Sequence, residues 1–148
     1  MKFPAALDKA LAILSEAHVA LLSTIGEDGY PRSRWMTPTP LPRLKGRLYA
    51  VTSRRFAKAR EIAAEPRVTW IVQERTLDIV VELAGRAEII DDPAFAAEVV
   101  KSIGPRLEVF WRESREPRDL VVVETVVESI RFLYPLSGER ESAEAANG

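Results

Sequence analysis

This chain has no cysteine and a single histidine, His18. The first absence excludes disulfides, a thiolate nucleophile and any cysteine-based metal site. The second nearly excludes the usual zinc, copper and iron ligand sets. A Ser-His-Asp triad would have only His18 to draw on. That residue falls where an N-terminal helix should end, a position that suits a helix-end or packing histidine. Charge of one sign is also lacking. With 21 Lys and Arg against 22 Asp and Glu the net charge is -1, so no overall field draws the chain to nucleic acid or an anionic membrane. No apolar run is long enough to span a bilayer. The first residues mix charged with apolar side chains, where a signal peptide needs an unbroken apolar core. The expectation is a soluble cytoplasmic protein with no nucleic-acid or membrane partner.

What is present reads as one ordinary domain. The chain has 148 residues, 47% apolar and 29% charged, enough for a real core. Leu7, Ala10, Leu11 and Leu14 recur at helical spacing and predict a helix from Pro4 to Ala17. Residues 19–25 then change to a strand pattern. Gly26-Glu27-Asp28-Gly29 turns the chain into a second strand, Tyr30 to Thr37. Pro38, Pro40 and Pro42 make a stiff loop, and Lys45-Gly46 leads into a strand at 47–53. A helix should follow, burying Phe56, Ala59, Ile62 and Ala63 and ending at Pro66.

Arg67 to Gln73 predicts the next strand. Leu77 to Ile90 predicts a long one, bent or bulged at Gly85. Asp92-Pro93 is a capped helix start for a stripe of Phe95, Val99 and Ile103, and Gly104-Pro105 stops it. A short helix through Leu107 and Trp111 and two strands, Asp119 to Val127 and Ser129 to Tyr134, complete the pattern. Trp70 and Trp111 read as packing residues. The domain is expected over 1–136, with 137–148 a frayed polar tail. Strands dominate and short turns join them, which points to a mainly β, α+β fold: a six- to seven-stranded antiparallel barrel with flanking helices.

The most informative stretch runs from Leu48 to Lys58. A strand ends in Thr52-Ser53, the cations Arg54 and Arg55 follow, and a helix opens around Lys58. Unpaired N–H groups at a helix start, together with cations and hydroxyls, suit a phosphate. The plain alternative is a solvated basic turn. Equally, Thr52 and Ser53 can be strand-end residues with local hydrogen bonds.

The order of parts decides between these readings. The Leu21-Leu22-Ser23-Thr24 strand, the Gly26-Glu27-Asp28-Gly29-Tyr30-Pro31 hairpin and Arg34-Trp35-Met36-Thr37 come first. Leu48 to Ser53, Lys58, Glu65-Pro66-Arg67-Val68 and Ala84 to Pro93 follow. The series resembles the pyridoxamine 5′-phosphate oxidase-like, FMN-binding split-barrel superfamily, especially its general-stress-protein branch. The resemblance covers Ala17 to Tyr134. It implies a homodimer that holds FMN between its subunits and acts on a small-molecule redox substrate. On this resemblance Arg34, Trp35, Met36 and Thr37 line the flavin ring. Thr52, Ser53 and Lys58 hold the phosphate, with Arg54 or Arg55 assisting. Strand alternation puts Arg34 and Trp35 on opposite faces, so an inward Arg34 sends Trp35 away, toward the dimer contact; the plain alternative places Trp35 and Met36 in the core with Arg34 capping a sheet edge.

Two departures stand out. Ala57 occupies a position that is often basic in the family. The Arg-Leu-His-Asp-Arg-like motif of true pyridoxamine phosphate oxidases is missing, so vitamer oxidation is not expected. Three functions therefore share the fold. One is an FMN-dependent oxidoreductase, and another is an F420-dependent reductase whose longer acidic tail would lie along Arg32, Arg43, Lys45 and Arg47. The third is a non-enzymatic flavin-binding dimer, favoured by Ala57. With one imidazole available, haem handling is remote.

Overall fold

Helix α1 (Phe3–Ala17) buries Ala6, Ala10, Ile13 and Leu14 on one face. It stops at His18, which adopts a left-handed backbone at φ 66° and donates its N–H to the Leu14 carbonyl at 2.9 Å. The lone histidine is thus the helix's C-cap. The strand β1 (Ala20–Ile25) and its partner β2 (Pro31–Met36) form the expected hairpin. Next come β3 (Arg47–Ser53), α2 (Ala57–Ala64), β4 (Arg67–Gln73) and β5 (Val80–Ile90). The order closes with α3 (Pro93–Ile103), β6 (Leu120–Tyr134) and β7 (Glu139–Glu144). The computed structural model describes residues 1–104 and 119–146, and the helix expected through Leu107 and Trp111 lies outside them. Among the described residues no helix is long and apolar enough to cross a membrane.

All strand pairs are antiparallel, in the order β2-β1-β4-β5-β6-β3, with β7 beside β6. The sheet does not close. Between its edges, β2 and β3, the described residues show a single bridge, Thr39 to Tyr49. This is the split barrel of the α+β class that the sequence predicts.

Two cross-strand rows explain how the sheet is dressed. Arg34, Leu22, Trp70, Leu83, Ile130 and Ala143 stand opposite one another from β2 to β7. All but Arg34 are buried, and α1 packs over this inner side. The adjacent row, on the other face, is Trp35, Leu21, Ile71, Glu82, Arg131 and Ser142. No described element buries it fully. At the other end α3 covers Tyr49, Val51 and Val122 to form a second core. Both faces of β3 are buried as a result, from Leu48 to Ser53.

Three expectations need correction. The last two strands are one, because β6 runs unbroken through Glu128, where a bulge absorbs the extra residue. Leu77 lies in the turn ahead of β5, with φ 61°. Residues 139–144 are a strand, not a frayed tail. Gly138 turns the chain at φ 74°, and β7 pairs with the second half of β6. Only Ala143 of that strand is buried. A strand held by its backbone with one inward side chain shows no apolar alternation, so pattern reading misses it.

Gly85 sits at the register shift between β5 and β6. A Cβ there would lie 2.0 Å from the Val126 carbonyl oxygen, and backbone cannot yield as a side chain would. Gly85→Ala is therefore expected to cost at least about 1–3 kcal/mol of stability. Urea unfolding measures it, and an unchanged midpoint would show that the strands tolerate separation there.

Candidate functional site

Leu48 and Ala50 point into the main core, and the same alternation carries Thr52 inward, where it is fully buried. The chain leaves β3 at Ser53. The Ser53 carbonyl accepts the Phe56 N–H at 3.1 Å, and its hydroxyl accepts the Arg55 N–H at 3.2 Å. Helix α2 begins after Phe56, with no side chain capping its first turn. Lys58 then reaches back across the junction. Its Nζ donates to Thr52 Oγ1 at 2.9 Å and lies 4.5 Å from the centre of the Phe56 ring.

Beside it, Arg34 ends the inner cross-strand row on the edge strand β2. Its Nη1 donates to Thr24 Oγ1 at 2.7 Å, and its Nη2 donates to Glu61 Oε1 at 3.1 Å. Thr24 also donates to Glu61 Oε1, at 3.3 Å. Glu61 and Thr24 are both buried. A buried carboxylate is costly unless paired and hydrogen-bonded, and here two donors from two strands meet one oxygen. Burial lowers Arg34 from its usual value, while Glu61 opposes the change. Burial likewise lowers Lys58 to about 8, the Arg34 charge adds to the effect, and the Glu61 charge works against it.

The structure thus brings Arg34, Thr52 and Lys58 together and leaves the other expected site residues apart. Trp35 is on the opposite face, 53% exposed. Met36 packs in the main core and Thr37 is buried after the strand's end. Ser53 faces away from Thr52 and serves the turn. The two helper cations are held elsewhere. Arg55, largely exposed, faces Asp119 at 3.4 Å, and Arg54 makes a two-pronged contact with Asp91 at 2.8 and 3.0 Å.

Glu61 and Thr24 went unnoticed in the sequence. The spacing of Lys58 and Glu61, three apart on a helix, puts them on one side and was the available signal. The expected stripe on α2 was wrong in part, for Phe56 is 44% exposed and Ala63 is exposed, while Glu61 is buried beside Ile62. On its outer side the cluster meets a depression of about 290 Å³ lined by Gly26, Glu27, Asp28, Arg32, Ala57, Arg60 and Glu61. Larger clefts lie away from these groups, at the C-terminal end of α1 and on the uncovered sheet face.

The donor set fits a phosphate: one ammonium, a second cation behind it, and a helix start with no side-chain cap, although the Ala59 N–H is already given to the Phe56 carbonyl at 3.2 Å. Among the described residues no cluster of His, Cys, Asp or Glu could hold a metal ion.

No curated protein sequence matches this chain. Solved structures do resemble it, at identities that speak for the fold alone. General Stress Protein 26 from Bacillus anthracis is 21% identical, with 95% of this chain and 98% of that one covered and a TM-score of 0.69. A pyridoxamine 5′-phosphate oxidase-related, FMN binding protein from Nostoc punctiforme is 15% identical, with 99% and 98% covered and a TM-score of 0.69. An F420 reductase is 21% identical, with 80% and 93% covered and a TM-score of 0.64. A family model described as pyridoxamine 5′-phosphate oxidase matches residues 6–134. That match spans the sheet from α1 to the end of β6, with every side chain of the cluster inside it, and the chain belongs to the pyridoxamine 5′-phosphate oxidase family.

Proposed function

We propose that this chain binds FMN, with the phosphate at the junction of β3 and α2, and acts as a homodimeric flavin-dependent oxidoreductase on a small molecule. The observation that carries the reading is the Lys58–Thr52 contact beside the uncapped start of α2. Bound FMN supplies two-electron redox chemistry through its ring. The side chains of this protein would then bind and orient the cofactor, which agrees with a cluster of cations and hydroxyls tied together by one carboxylate. Family membership and the FMN-binding neighbour support the same ligand.

An F420 tail is less well served. Of the four cations expected along it, Arg32 is paired with Asp28, Arg43 with Glu98 and Arg47 with Glu124. Three of the four cations that would line such a groove are therefore already paired.

A second copy of the chain suits the uncovered face. Trp35 is 53% exposed there, in line with Leu21 and Ile71, both only partly buried. A large aromatic side chain held out of the core on an edge strand is typical of contact surfaces. Sedimentation should give a dimer, and Trp35→Glu should shift it toward monomer with the fold intact. A monomeric native protein would remove the subunit-interface site.

Purified protein, or protein titrated with FMN, is expected to show a bound-flavin absorption spectrum. Failure to take up FMN, or a clear preference for F420, would overturn the reading. Lys58→Ala should weaken FMN binding by about 1.5–3 kcal/mol, roughly tenfold to a hundredfold or more. The native affinity should also depend on pH. Lys58 is charged below about 8 in the ligand-free protein and loses its proton above it. Affinity should then be steady from neutral pH up to about 8 and fall beyond, and the alanine variant should lack that fall. Calorimetric titration at several pH values tests both statements. Equal affinities in the two proteins would move the phosphate elsewhere.

A further inference from the structure

We propose that Glu61 is a positioning residue of the phosphate site: its buried carboxylate sets the direction of the Arg34 guanidinium and offsets that positive charge beside Lys58. The inference rests on the FMN reading only for the identity of that ligand.

Packing gives no reason for a carboxylate at this position. Glu61 is 5% exposed, beside the buried Ile62, on a helix where an apolar side chain would fill the space at lower cost. The geometry supplies a reason. Oε1 receives Arg34 Nη2 from β2 and the Thr24 hydroxyl from β1, while Arg34 Nη1 is spent on Thr24. The guanidinium is thereby tied inward at the open edge of the sheet and left as a fixed charge behind Lys58. Fixed in this way, it orients the site without being free to swing toward solvent.

Two cations side by side in a partly dry seam repel each other, and the lysine gives way because its amine can lose a proton. Glu61 is the group that opposes this. The other charged side chains around α2 and its neighbours face partners of their own. Arg32 faces Asp28, Arg54 faces Asp91, Arg55 faces Asp119, Arg60 faces Glu27, and Arg86 on β5 faces Glu128. Arg34 and Glu61 are the two charges that bear on Lys58, the first against its ammonium form and the second in favour of it.

The test follows the Lys58 amine directly, in the ligand-free full chain, by NMR titration of lysine side chains with Lys58→Arg to assign the signal. The native midpoint should lie near 8. Glu61→Gln keeps an acceptor for Arg34 and Thr24 but no charge, and its midpoint should fall by at least about half a pH unit. Thermal melting checks that this variant is folded. Should it not fold, Glu61→Asp, which withdraws the charge by one methylene, must lower the midpoint by a smaller amount. A midpoint unchanged in a folded variant overturns the proposal. FMN titration separates the two readings: a shifted midpoint without FMN uptake rejects the ligand and keeps the role of Glu61. FMN uptake with an unshifted midpoint does the reverse.

Discussion

A long antiparallel strand pair can wrap a small core only if it bends, and the rest of this structure depends on the place where β5 and β6 do so. At Gly85 the backbones approach so closely that a Cβ has no room, and Glu128 is left over as a bulge. Before the bend, the first half of β5 pairs with the second half of β6, which also holds β7. After it, the second half of β5 pairs with the first half of β6, which holds β3. The single strand β6 therefore serves two ladders. Its bend lets β3 curl round until only the Thr39–Tyr49 bridge links it to the segment after β2. The seam left between the two edges is where the candidate site lies.

A seam in a barrel poses an electrostatic problem. The inner row of side chains is apolar from Ala143 to Leu22, and at the edge strand it ends in Arg34. Burying that guanidinium without a partner would be costly, since a charge in a low-dielectric setting must be paired or lost. Helix α2 supplies the partner by turning Glu61 toward the seam, and Thr24 completes the contact. Lys58, on the same helix, faces Thr52 on the opposite edge. The seam is closed by polar contacts where a continuous barrel would have had one more strand pairing. With two cations and one carboxylate, it retains a net positive charge.

Much of the fold was legible from local signals. The hairpin at 26–29, the proline and glycine stops, the Asp92 cap and the special status of Gly85 all follow from backbone requirements that few residue types satisfy. Of the site, the grouping of Thr52, Ser53 and Lys58 was legible because strand end and helix start adjoin in sequence; that Lys58 bonds Thr52 while Ser53 serves the turn was not. Elements whose place depends on a distant partner were not. β7 looks like a tail because its stability lies in backbone bonds to β6. Glu61 looks like a solvated helix residue, because its partners, Arg34 and Thr24, are 27 and 37 residues away along the chain. The same holds for Arg54 and Arg55, whose charges are faced by Asp91 and Asp119 from other parts of the fold.

By itself the sequence determined that strands would dominate, where most of them turn, and that metal or thiol chemistry has few side chains to use. Those properties come from composition and from short-range sterics, which do not wait for the fold. Only the tertiary structure decided which way Arg34 points, which cations remain to meet a ligand, and that a glutamate stands behind them. A charge acquires its role from neighbours within a few ångströms, and here those neighbours are assembled by the bending of the sheet.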